Sequence, residues 1–130
     1  MTTPPSRTLL DVLATAGVGV VGTNLFAERM PDAPDHAVSV TLYAGGTPEY
    51  IHNSPYVAYN TPRLQVMVRG VGADSAYTLA DAAYRALGNK DGYPSDWIII
   101  TPLSAPFLLT RDEKERVVYA FNIEALTRGN

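Results

Sequence analysis

RLQVMVRG, Arg63 to Gly70, decides how the rest of the chain is read. Its side chains alternate: Leu64, Val66 and Val68 point to one face of a strand, and Gln65, Met67 and Arg69 to the other. The first face belongs to a core, where burial of each aliphatic side chain contributes roughly 1.5–3 kcal/mol. A slip of one residue would turn all three to the wrong side, so the pairing register is strongly specified. The second face is neither apolar nor simply charged, and the question is what it touches.

Working outward, AVSVTLY (37–43) shows the same alternation, Val38/Val40/Leu42 against Ser39/Thr41/Tyr43. WIIIT (97–101), PFLLT (106–110) and VVYAFNIEAL (117–126) read as further strands, the last two joined as a hairpin across the charged turn RDEKER (111–116). Val117, Tyr119, Phe121 and Ile123 give the final strand one apolar face. The spacing of Leu9, Leu10, Leu13 and Ala16 predicts a short first helix, capped by Ser6 or Thr8 and stopped at Gly17. Ala76, Leu79, Ala80, Ala83, Tyr84 and Leu87 predict a second helix from Ser75 to Leu87, capped by Asp74. Val20 to Met30 reads as loop with a short extended piece, and residues 44–62 as a long Pro-, Gly- and Tyr-rich loop. Strands that are not interleaved with helices predict an α+β fold, a mostly antiparallel β-sheet packed by two α-helices on one face. The length, 130 residues, predicts a single domain spanning 1–130.

Apolar residues make up 46% of the chain and charged residues 18%, an ordinary globular composition. There is no Cys, which excludes disulfides, thiolate metal sites and a cysteine nucleophile. The formal net charge of −3 and the absence of any long run of like charge argue against a protein that grips nucleic acid. The polar MTTPPSRT start and the interruption of LLDVL by Asp11 predict no secretory leader, and the apolar runs are far too short to span a bilayer. The expectation is a soluble protein made in the cytoplasm.

Chemistry-bearing groups are sparse. Asp32, Asp35 and His36 gather two carboxylates and an imidazole in five residues, a conceivable hard-metal or zinc site for a metal-dependent hydrolase. No distant cluster completes such a coordination shell, so an exposed Asp/Pro turn is the plainer reading. His52 near Ser54 lacks any nucleophile elbow or orienting carboxylate. Gly70 and Gly72 lie between a strand and a helix without the pattern of a phosphate loop. The sequence therefore predicts no catalytic residues, no cofactor and no metal.

Three segments in this order, PDAPDHAVSVTLYAGGTP (31–48), PRLQVMVRGVGADSAYTLADAAYRAL (62–87) and SAPFLLTRDEKERVVYAFNIEAL (104–126), resemble the minor capsid and tail-completion proteins of long-tailed bacteriophages, in particular the tail terminator fold. The resemblance implies a six-fold ring of identical copies on the head-proximal end of a finished tail tube. Such a ring stops tube polymerisation and offers the surface that joins the head. It also implies a virion protein whose partners are its own copies, the tail tube protein and head-neck connector proteins, with DNA passing the lumen without specific binding and no membrane involved. Another neck component, a head-completion adaptor or stopper, is the alternative.

A ring is built from a heterologous interface, one patch against a different patch of the next copy. The surface it needs is half polar and half apolar, and Tyr, Met and Arg are favoured there. Gln65, Met67 and Arg69 on the strand, with Tyr50, Tyr56 and Tyr59 of the 44–62 segment, are the residues expected at the subunit or tail-tube interface.

Overall fold

A computed structural model describes residues 4–45, 49–50, 57–88, 93–94, 97–112 and 114–128. The first helix, α1 (Pro5–Thr15), begins with Pro5, whose missing N–H costs nothing in the first turn. It ends in a Schellman motif: Gly17, at φ 84°, donates its N–H to Ala14 O, and Val18 N–H reaches Leu13 O. Leu9, Leu10 and Leu13 are fully buried, as their spacing predicts. Short extended residues follow as β1 (Leu25–Ala27), which lies parallel to β2 (Ala37–Gly45).

The RLQVMVRG stretch sits in β5 (Pro62–Val71), flanked on both sides by antiparallel partners. On one side Val38, Val40 and Leu42 stand opposite Val68, Val66 and Leu64. On the other is β8 (Arg116–Arg128), with Tyr119, Phe121 and Ile123 opposite Val68, Val66 and Leu64. These rungs put the aliphatic residues of three strands on one face, and the first alternation read in the sequence is that face. Both helices cover it. The second, α2 (Ala73–Ala86), starts two residues earlier than its apolar spacing indicates, with Gly72 at the N-cap and Asp74 in the first turn, where a carboxylate favours the helix dipole. Ala76, Ala80 and Ala83 are its buried face. Gly70 is required beneath it: a Cβ there would lie 2.9 Å from Ala76 Cα.

The segment expected to be a long loop contains two strands, β3 (Glu49–Tyr50) and β4 (Val57–Asn60), paired with each other. Asn60 and Tyr59 continue the register of β5 onto the end of β8, opposite Thr127 and Arg128. Its Pro, Gly and Asn content gives no alternation from which the two strands could be read. On the far edge of β8 lie β6 (Trp97–Pro102) and, after a short break, β7 (Phe107–Arg111), the latter forming the expected hairpin with β8. The sheet is mixed only through β1, so the α+β class and its largely antiparallel character stand. Among the described residues no helix is long and apolar enough to cross a membrane.

Candidate functional site

The second face of β5 is closed at one end and open at the other. Its rungs run Thr41–Gln65–Asn122 and Ser39–Met67–Ala120, ending in Arg69 opposite Val118. Gln65 and Met67 are half-buried. The Oδ1 atom of Asn122, beside Gln65, is shut off from solvent and accepts no hydrogen bond from the described residues. Arg63 and Glu124 pair at 2.9 Å further along, both partly exposed. Such a pair contributes at most about 1 kcal/mol.

Arg69 corrects the sequence reading. It is only 4% exposed, and its guanidinium donates to the carbonyl oxygens of Asp35 (3.3 Å) and Pro34. Burial, and the nearby charge of Arg116, pull its pKa below the usual arginine value. The charge expected to face a partner is turned inward and holds the loop that precedes β2.

That loop is fastened by a second buried arginine, which the reading of RDEKER as a charged turn missed. Arg116, also 4% exposed, donates to Asp32 Oδ1 (2.8 Å), Asp35 Oδ1 (3.2 Å) and Asp112 Oδ2 (2.6 Å). Lys114 adds a contact to Asp32 Oδ2 at 2.6 Å. Asp112 Oδ1 accepts the backbone N–H groups of Lys114 and Arg116, both at 2.9 Å, and so shapes the hairpin turn. The hydrogen bond from Lys114, then that from Arg116, holds the Asp32 carboxyl below the ordinary 3.8. Burial alone would raise Asp112, but its hydrogen bonds to Arg116 and Lys114 more than offset this and lower it. For Arg116 too, burial opposes the charge and the carboxylates of Asp32 and Asp112 overcome it, so its pKa is raised. One signal was legible: Arg69 and Arg116 continue the outward alternation of neighbouring strands toward the same end of the sheet as the Asp-rich loop.

This geometry replaces the metal reading of Asp32, Asp35 and His36. The two carboxylates are neutralised by cations of the chain itself, and among the described residues no cluster of acidic and imidazole ligands could hold a metal. His36 Nε2 lies 3.4 Å from Ser75 Oγ, but the Ser75 hydroxyl already donates to Val71 O. The contact links the loop to the start of α2, with the Ser75 proton directed at the backbone rather than at His36. A cleft of about 540 Å³ opens between the end of α2 and β6, lined by Tyr84, Leu87, Ile100, Pro102 and Ile123 together with Arg85 and Gly88. Among the described residues its one charged group is Arg85, which is held at 2.8 Å by Asp81, one helical turn earlier.

Of the residues expected at an interface, Gln65 and Met67 lie half-buried on the same face of β5, and Tyr59 is exposed in β4. Tyr50 is placed by its backbone in β3, opposite Val57. Tyr56, like His52, lies outside the described residues. No curated protein matches the chain. A family model described as "Bacteriophage tail terminator protein" matches residues 12–127, from the last turn of α1 to the end of β8.

Proposed function

The chain belongs to the bacteriophage tail terminator family and is a structural component of phage tail assembly; from that premise we propose that it caps the head-proximal end of the tail tube as a closed ring of identical copies, most simply six. The ring stops addition of tube subunits and presents the surface on which the head, through its connector proteins, docks. The role is one of shape and contact rather than catalysis. DNA passes through the lumen, and the acidic balance of −3 per chain disfavours adhesion of phosphates to its wall.

The observation that carries this reading is the family match over residues 12–127, which takes in the sheet, α2 and the last turn of α1. The surface supports it: the face holding Gln65 and Met67 is half-buried without being sealed by a helix, while the opposite face is covered by α1 and α2. In this role Gln65, Met67, Tyr50, Tyr56 and Tyr59 meet a neighbouring copy or the tube. Arg69 acts on that contact indirectly, through the loop it fixes.

The test is electron microscopy of tails assembled without this chain. Tubes longer than the normal length support the capping role. Tails of normal length that fail to join heads would assign the chain to another place in the neck.

A further inference from the structure

Five of the eleven large apolar side chains exposed among the described residues crowd along one sheet edge: Ile98, Leu103, Phe107, Leu108 and Leu109. This edge is formed by β6 and β7, which pair only with β8 among the described strands. From Trp97 to Thr110 it contains no charged residue. An apolar edge of this length, left uncovered, invites association and is normally blunted by charge. The other edge of the sheet matches it. Thr41 to Gly45 of β2 extend beyond the cover of β1, residues 37–48 carry no charge, and Leu42 and Tyr43 are 39% and 49% exposed.

The two edges are also level and opposed in direction. The ladder runs Leu42–Leu64–Ile123–Pro102 straight across the sheet. Since β2, β5, β8 and β6 alternate in direction, β2 and β6 run oppositely. Rotation about an axis along the strands preserves direction, so β6 of one copy meets β2 of the next antiparallel and at the same height. Resting on the ring reading above, we infer that the β6–β7 edge of one copy packs against the β1–β2 edge of the next, with a second copy of this chain as the occupant. Pro102 and Pro106 carry no N–H, so side chains rather than an unbroken ladder make the contact. Glu28 restrains the receiving edge: its carboxylate accepts the Leu42 N–H at 3.3 Å, which discourages indiscriminate strand addition.

The absence of native Cys makes the test clean. Tyr43 and Thr101 each stand one residue beyond the level Leu42–Pro102 pair, toward the same end of the sheet, on the rung of Arg63 and Glu124, and both are exposed. A Tyr43→Cys, Thr101→Cys double variant is oxidised both as free protein and bound to tails, then run on a denaturing non-reducing gel. The expected result is a ladder of cross-linked multimers from the double variant and none from either single variant. A dimer from Thr101→Cys alone would show that this edge meets its own copy, and absence of a ladder in both free and tail-bound protein would overturn the edge contact. As an independent check, Leu108→Lys should abolish oligomers while each copy keeps its folded circular dichroism spectrum; oligomers that persist in the folded variant count against the proposal. Tail length in phage lacking the chain is read separately. A ladder alongside tails of unaltered length would remove the capping role and leave the edge contact standing, and overlong tails without a ladder would do the reverse.

Discussion

The two faces of β5 are held by different physics. The helix-bearing face is sealed by Leu64, Val66, Val68, Phe121 and Ile123, each at most 1% exposed, and by two helices, α1 through Leu9, Leu10 and Leu13 and α2 through the small Ala76, Ala80 and Ala83 that let it approach the sheet closely. The opposite face is closed at one end only, where Arg69 and Arg116 tie down the Asp32–Asp35 loop, and its middle is left half-covered around Gln65 and Met67. Sealing by apolar area is indifferent to pH and tolerates little change in shape. Sealing by charge responds to pH and leaves the adjoining surface available for assembly.

The largest effect should come from the sealed face. Phe121→Ala removes a fully buried ring packed edge-on against Tyr84, and about 3–5 kcal/mol of unfolding free energy should be lost in a denaturant titration. Gly70→Ala comes next. Its new Cβ meets the backbone of Ala76 at 2.9 Å, so α2 must shift, at about 1–3 kcal/mol by the same measurement.

Arg116→Met sharpens the contrast by testing the charged closure. The folded-state pKa values of Asp32 and Asp112 are depressed, so their contribution is fully present above the unfolded value of 3.8 and is lost as pH falls through the folded values. The unaltered protein should therefore lose stability steeply below about pH 4. The Arg116→Met variant should be less stable at neutral pH and show a flatter acid limb in thermal melts across pH. Gln65→Arg should change folding stability least, within about 0.5 kcal/mol, while impairing tube capping, seen as overlong tails. Equal damage to folding and capping would mean that the open face is merely core.

The sealed face was legible because alternation of period two and helical spacing of three to four both report burial directly, and Leu64, Val66, Val68, Ala76, Ala80 and Ala83 obey them. The charged closure was hidden because Arg69 and Arg116 are expensive to bury alone, and what makes them tolerable is the set of carbonyls and carboxylates contributed by a loop some 35 and 84 residues away. Arg69 thus read as a surface cation, and Asp32 and Asp35 as possible ligands. Strands β3 and β4 were obscured for a related reason: their pairing, to each other and to the end of β8, leaves no apolar period in a segment rich in Pro and Asn.

The most direct test is a cryo-EM map of the head-proximal end of the tail. The account predicts a closed ring of this chain there, with the Gln65–Met67 face buried against a neighbour or the tube and α1 and α2 packed within each copy. A tail end lacking the chain, or a ring in which that face lies open to solvent, would contradict it.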